Sequence, residues 1–360
     1  RQPNNDKQES ENMRIGFLVN DISSERAGVT TQRLAITALN RDHEVWYLGA
    51  GDLAYDVDEK IHGWARATAG RRYKTTTTYL KELQGPGARS ERIAVDDLDI
   101  LLLRIDPAQD TGRNAWVKSA GIIFGNIALR SGVVVLNDPT ALAGALDKMY
   151  LQLLPEHIRP RTLVSCDSRE IKAFVDDLGG NAVLKGFQGT GAQPVFLVTK
   201  NNRGNLNQMV EAISRHGYVI AQEYLASAEK GSIRLFLING EPMRYKGKVA
   251  AFQWVRTAEG MHSDIHEPGT TEPVKLSDAH YQIAEAIRPR LVQDGMFLAS
   301  IEIIDNRLID IDVFRPSGLI TAQSYEKANF SEAVINALER KVDYMSYYRR
   351  QFDNVDMATL

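Results

Sequence analysis

From Arg14 onward, short apolar runs alternate with stretches whose apolar residues recur at helical spacing, and this alternation predicts most of the elements. Arg14 to Val19 reads as a strand and Val29 to Asn40 as a helix. Further strands are expected at His43 to Leu48, Asp99 to Arg104 and Val133 to Asn137, which together predict an open α/β domain over 13–139. Ahead of it, RQPNNDKQESEN is too polar to bury anything, so residues 1–12 are expected to form a disordered tail. The basic and polar stretch Gly63 to Arg92 contains four threonines at Thr75 to Thr78 and the turn Gly85-Pro86-Gly87. It reads as an excursion or flexible loop.

Past Pro139 a periodic helix is expected from Thr140 to Leu154, followed by a linker marked by Pro155 and Pro160. Strands at Ala182 to Lys185 and Pro194 to Val198, a helix at Leu206 to His216 and a strand at Tyr218 to Tyr224 predict a small α+β unit. Between Ile233 and Val249 two strands flank Asn239-Gly240, a hairpin signal. A helix at Ser277 to Gln293 precedes a last pair of strands, Met296 to Ile304 and Leu308 to Val313. The expected division is therefore 13–139, 140–220, 221–340 and a C-terminal extension, 341–360. In that extension YMSYYRR, at Tyr344 to Arg350, has aromatics that could stack bases, but an aromatic helix packed on the body accounts for it as well.

Composition narrows the function classes. At 360 residues, 43% hydrophobic and 25% charged, the chain can bury several cores and is not disordered throughout. Its one cysteine, Cys166, excludes an intrachain disulfide and a zinc cluster of thiolates, and suits a reducing, cytoplasmic compartment. No apolar run approaches membrane-helix length, and the N-terminus has no signal-peptide core. With 43 basic residues against 46 acidic ones there is no global field for nucleic acid. Neither a membrane nor a nucleic acid is expected as a partner.

The segment SIEIIDNRLIDIDVFRPSG carries the densest chemistry. Asp310 and Asp312 share a strand face. Glu302 joins them if the turn has three residues; a two-residue turn places it on the opposite face unless a bulge intervenes. Three half-buried carboxylates so close repel one another and call for a cation or a proton. Oxygen-only ligands favour magnesium or manganese over zinc. An exposed hairpin with a polar face is the alternative, although the intervening isoleucines already supply a core face. Lys185 leads into Gly186-Phe187-Gln188-Gly189-Thr190-Gly191-Ala192, which either cradles phosphates or is a plain hairpin loop; it is not a P-loop.

Other motifs carry less. The first strand lacks a following GxGxxG, which argues against a nicotinamide dehydrogenase. His262, Asp264, His266 and Glu267 are dense in ligand types but match no zinc spacing. Cys166 precedes a helix without a specific histidine partner and reads as a structural or surface thiol.

Taken in order, Lys148, the Lys185 loop, AQEYL at Ala221 to Leu225, Arg234 and the acidic trio resemble the ATP-grasp ligases. The likeness is to bacterial-type glutathione synthetases and runs from MRIGFLVNDI through LLRIDP and LNDP to FRPSG. It implies an ATP-grasp fold behind an N-terminal open α/β domain, with α/β and α+β parts, and ATP held between a central lid and the C-terminal domain. It further implies Lys148, Lys185, Gly189 and Gly191 on the phosphates, and Gln222, Glu223, Tyr224 and Leu225 around adenine. Glu302, Asp310 and Asp312 would hold Mg2+, with Mn2+ an alternative. Arg234 would stabilise an acyl-phosphate and a tetrahedral intermediate, and Asn20, Arg104, Asp106, His262, Asp264 and Arg315 would form the substrate side. Small amino-acid or peptide substrates, a cytoplasmic location and a homo-oligomer are expected.

The sequence departs from the family's pattern at four places. Asp312 stands for an asparagine, Ser232 for the acid that faces the ribose, and Phe314-Arg315-Pro316 for a TSP triplet. In the substrate loop, His262 and Asp264 stand where the family has arginine and asparagine. The implied function is Mg-ATP-dependent ligation of γ-glutamylcysteine to glycine. A related dipeptide or amino-acid ligase, or a nucleotide-binding regulator without turnover, is the alternative.

Overall fold

The computed structural model describes residues 12–107, 109, 115–187, 195–215, 217–256, 269–349 and 352–360. The first part contains β1 (Arg14–Val19), α1 (Thr30–Asn40), β2 (Glu44–Gly49), β3 (Leu53–Tyr55), β4 (Ile61–Ala67), α2 (Thr76–Gln84), β5 (Arg89–Ala94), β6 (Ile100–Leu103), α3 (Val117–Arg130) and β7 (Val134–Leu136). These seven strands form one sheet in the order β3-β4-β2-β1-β6-β7, with β5 paired to β4. The strands β2, β1, β6 and β7 run parallel and β3, β4 and β5 are antiparallel additions. Ile15 to Val19 are all buried, as expected for a parallel strand covered on both faces.

The stretch 63–92 is not a flexible loop: it holds most of β4, all of α2 and the start of β5. Threonine is a poor helix former, which made the run look irregular. Its first member, Thr75, is an N-cap whose side chain accepts from the Thr78 N–H, and Tyr79, Leu80 and Leu83 bury the helix that follows.

The continuous helix expected from Thr140 to Leu154 is also corrected. Asp138 caps a short α4 (Pro139–Ala143), Gly144 ends it, and a separate 3-10 turn, Lys148–Leu153, begins under the side chain of Asp147. Next come β8 (Thr162–Ser165), α5 (Ser168–Asp177), β9 (Ala182–Gly186), β10 (Phe196–Val198), α6 (Leu206–Ser214) and β11 (Val219–Glu223). They make an antiparallel sheet in the order β10-β9-β11-β8. Ile171, Val175, Leu184, Val210, Ile213 and Ala221 belong to a core of its own. Cys166 lies exposed between β8 and α5.

The last part contains β12 (Ser232–Ile238), β13 (Glu241–Pro242), β14 (Arg244–Tyr245), β15 (Lys248–Val249), β16 (Ala251–Arg256), β17 (Gly269–Glu272), α7 (Asp278–Gln293), β18 (Leu298–Ile304), β19 (Arg307–Asp312), α8 (Leu319–Glu326), α9 (Phe330–Tyr347) and α10 (Asn354–Thr359). Its main sheet is β17-β16-β12-β18-β19, with β13 on β12. The expected Asn239-Gly240 turn joins β12 to β13, both residues having positive φ. The aromatic helix expected near Tyr344 is the end of α9, where Met345 is buried while Tyr347 and Tyr348 stay exposed.

The first and third sheets are bonded directly. Asn137 donates to the carbonyls of Leu298 (2.9 Å) and Val313 (2.5 Å) and accepts from the Leu298 N–H (2.8 Å). Asn354 on α10 exchanges two bonds with the backbone of Val135 on β7. Lys341, fully buried, donates to Asn239 Oδ1 and to the carbonyls of Ala358 and Leu360. Among the described residues no helix is long and apolar enough to cross a membrane.

Candidate functional site

One face of the third sheet gathers the acids. Arg234 on β12 lies beside Glu302 on β18, Glu302 faces Asp310 on β19, and Ser300 faces Asp312. Ile304 pairs with Arg307, so the turn consists of Asp305 and Asn306, and the register shifts between Glu302 and Ile303. Leu308 pairs with Ile303 and Asp310 with Glu302, so Ile309 is the extra residue. That bulge offsets the two-residue turn and brings all three carboxylates to one face. Ile301, Ile303 and Leu308 fill the opposite face.

The acids do not share one environment. Glu302 is buried and accepts from the Ser232 hydroxyl, with Arg234 Nη2 at 3.8 Å. Burial pushes its carboxyl up despite Arg234. Burial also raises Asp312, against the N–H donors of Phe314 (3.0 Å) and Arg315 (2.9 Å) and with Asp106 adding repulsion. Burial raises Asp310 too, but Lys148, 3.7 Å away, and Lys185 outweigh it and hold it below the usual range. Like charges gathered on one sheet face repel one another, and the burial that raises Glu302 and Asp312 makes their anionic forms costly without a cation. A divalent cation with a preference for oxygen fits this donor set.

Lys148 and Lys185 come from different elements and meet at Asp310. Lys148 opens its 3-10 turn, and its N–H donates to the Phe187 carbonyl at 3.2 Å, just beyond β9. Lys185 on β9 donates to Gln222 Oε1 at 3.1 Å, and Gln222 Nε2 donates to Thr162 Oγ1 at 3.1 Å. Burial and the nearby Lys148 push Lys185 down to about 8. Gln222 thus faces the lysine. Glu223 accepts from the Arg161 N–H at 3.2 Å, and Tyr224 and Leu225 lie in the passage from β11 to β12. Gly189, Gly191, His262 and Asp264 lie outside the described residues.

The N-terminal contributors sit at the carboxyl ends of β1 and β6, where open α/β sheets present ligand sites. Asn20 and Asp106 are tied reciprocally: Asn20 Nδ2 donates to the Asp106 carbonyl (2.9 Å) and the Asp106 N–H to Asn20 Oδ1 (2.8 Å). Arg104 donates to Thr31 Oγ1 (3.2 Å) and to the Pro316 carbonyl (3.0 Å). Burial and neighbouring Arg315 hold Arg104 at about 10. Arg315 pairs with Glu25, which burial raises although Arg315 opposes it, and Gln32 donates to the same carboxylate at 2.5 Å. Sequence reasoning missed Thr31, Glu25, Gln32, Thr162 and the bond from Ser232 to Glu302. Glu25 lies 290 positions from Arg315, so no local spacing could reveal the pair.

Two family models match the chain: the N-terminal domain of prokaryotic glutathione synthetase over residues 13–143, and its ATP-grasp domain over 147–327. A glutathione synthetase of Synechococcus elongatus is 28% identical, covering 92% of this chain and 99% of the relative. One of Vibrio parahaemolyticus is 26% identical over the same shares. Among solved structures, a RimK domain ATP-grasp protein of Sphaerobacter thermophilus aligns over 90% of this chain and 98% of its own, with TM-score 0.55 and 17% identity. The D-cycloserine synthetase DcsG aligns over 90% and 99%, with TM-score 0.56 and 13% identity. At those identities the structural likeness concerns the fold.

Proposed function

The chain belongs to the prokaryotic glutathione synthetase family and is an ATP-dependent carboxylate–amine ligase, and from that premise we propose how its residues divide the work. The observation that carries the division is three carboxylates on one sheet face confronted by Lys148, Lys185 and Arg234. ATP lies between the four-stranded sheet, acting as a lid, and the third sheet. Lys148 and Lys185 take the phosphates together with Gly189 and Gly191, and Gln222, Glu223, Tyr224 and Leu225 border the adenine. Glu302, Asp310 and Asp312 would hold Mg2+, which supplies neutralising charge at the phosphate oxygens. Mn2+ is an acceptable substitute.

A substrate carboxylate oxygen attacks the γ-phosphorus and ADP leaves, giving an acyl phosphate. The neutral acceptor amine then attacks the acyl carbon, the bond from that carbon to the phosphate-bearing oxygen breaks, and the proton shed by nitrogen leaves with the phosphate or passes to water. Neither step needs an enzyme nucleophile, so positioning and charge dominate. Arg234, projecting from the strand beside Glu302, stabilises the negative charge that develops on the acyl phosphate and the tetrahedral carbon. Asn20, Arg104 and Asp106 bound the substrate side. Homo-oligomerisation belongs to the same proposal and is read by light scattering.

The leading substrate pair is γ-glutamylcysteine and glycine. At the family's substrate positions, a histidine at 262 and a carboxyl group at Asp264 replace an arginine and an amide, which weakens recognition of an acidic donor. We therefore expect this pair to be ligated inefficiently, with better use of a less acidic or amine-bearing donor. Phosphate release with Mg-ATP, crossing several γ-glutamyl and free amino-acid donors with several amines, tests both levels. Release only when donor and amine are both present supports ligation. If γ-glutamylcysteine with glycine already surpasses every other pair, and Asp264→Asn changes nothing, the argument about the loop fails and the simpler pair stands.

A further inference from the structure

The direction of the Asp312 carboxylate depends on the path of the loop after β19, because its Oδ1 accepts from the N–H groups of Phe314 and Arg315. That loop is clamped onto the N-terminal part of the chain. The Arg315 guanidinium reaches Glu25 at 2.8 and 2.9 Å from its two oxygens, in the segment ahead of α1. The two side chains are 9% and 1% exposed. Gln32 in the first turn of α1 donates to that carboxylate, and Gln84 on α2 donates to the Glu25 carbonyl at 3.0 Å. The next carbonyl, of Pro316, accepts from Arg104. Slightly further on, the Leu319 N–H donates to Thr30 Oγ1 at 3.4 Å.

We propose that the buried Glu25–Arg315 ion pair positions Asp312, so that the N-terminal domain sets the affinity of the divalent-cation site. The inference rests on the assignment of Glu302, Asp310 and Asp312 to that cation. Glu25 and Arg315 are positioning residues, since each acts through the loop that orients Asp312. A buried ion pair holds a loop firmly because separating it leaves an unpaired charge away from water. Loss of a group that orients a metal ligand typically weakens metal affinity about 10- to 100-fold. Arg315, expected on the substrate side, is paired with Glu25 of the N-terminal domain.

The test measures Mn2+ binding directly, by electron paramagnetic resonance of the free ion, with the full chain and saturating ADP, so that no turnover is involved. Glu25→Gln and Arg315→Met are expected to weaken Mn2+ about tenfold. Arg315→Lys, which keeps the charge, should recover part of the loss, and ADP affinity at saturating Mn2+ should not change. Circular dichroism establishes that each variant is folded; if Glu25→Gln is not, the milder Arg315→Lys decides, with a loss of several-fold expected. Folded variants whose Mn2+ affinity stays within about twofold of the parent overturn the inference, as does a loss of turnover at saturating metal without a change in Mn2+ binding. Asp312→Ala separates the two levels: if it binds Mn2+ unchanged, the metal assignment itself is wrong, whereas weakening there alone removes only the role of the pair.

Discussion

Arg234 and Lys185 both face the acidic trio, but their surroundings give them different tasks. Arg234 lies beside Glu302 on the sheet, whereas Lys148 and Lys185 reach the acids from the 3-10 turn and from β9 and converge on Asp310. Arg234→Ala should therefore lower kcat by about 100-fold or more, the usual effect of losing a group that meets charge developed only in the transition state. Its dissociation constant for ATP, measured by calorimetry with Mg2+, should stay within about threefold. Lys185 predicts a pH effect. Its pKa in the fold, about 8, lies below the usual 10.5 because of burial and Lys148, so the folded chain binds fewer protons there than the unfolded one. This group opposes folding below pH 8, and its penalty fades as pH rises from 8 to about 10.5. A polyphosphate beside it reverses the preference. ATP binding should take up a proton near pH 8 and weaken as pH rises above 8, which calorimetry in buffers of different ionisation enthalpy would detect. Affinity that is flat from pH 7 to 9 would remove Lys185 from the phosphate site.

At the level of elements, the strand that carries Arg234 depends on Gly231. With φ of +98°, its missing Cβ would lie 1.7 Å from the carbonyl oxygen of Trp254 on β16. Gly231→Ala must pry β12 from β16 immediately before Ser232, and should cost at least about 2 kcal/mol, adding strain at positive φ to a backbone clash. A thermal melt would show the loss, and an unchanged Tm would contradict the close approach. The hairpin that carries the acids shows how far the sequence was legible. Alternation of isoleucine with acids announced the shared face of Asp310 and Asp312, but the two possible turn lengths left open whether Glu302 joins it, and a bulge behind a two-residue turn is what brings it there. Its place at Ile309 depends on pairing across the strands, which no single-strand pattern encodes. The threonine run misled for the opposite reason: propensity predicted irregularity, while a capping side chain and three buried residues made a helix. The Thr140 to Leu154 stretch kept its apolar period, yet Gly144 and the cap at Asp147 divided it.

For the whole molecule, the apolar side chains of the first and third sheets merge into shared clusters, while the four-stranded sheet keeps its own. That separation predicts independent opening. With Mg-ATP at 100 times its dissociation constant, amides in β9 and β11 that exchange through opening should slow by up to about 100-fold, and those in β1 should not change. Equal protection in both sheets would mean that the molecule closes as one body. The alternation of strands and helices made the first sheet readable and the order of motifs made the ligase chemistry readable, whereas the expected boundary at 220/221 falls inside β11, a strand of the four-stranded sheet. The bonds between sheets were not readable, because Asn137 to Leu298, Asn354 to Val135 and Glu25 to Arg315 join residues far apart in the chain. One of the features of the four-stranded sheet also has a practical use. Cys166, exposed at the end of β8, is the only thiol in 360 residues. A maleimide dye therefore attaches at one known position without any engineering, on the part whose motion is in question. A second dye introduced on the rigid remainder would turn each opening and closing into a distance that single molecules report in real time.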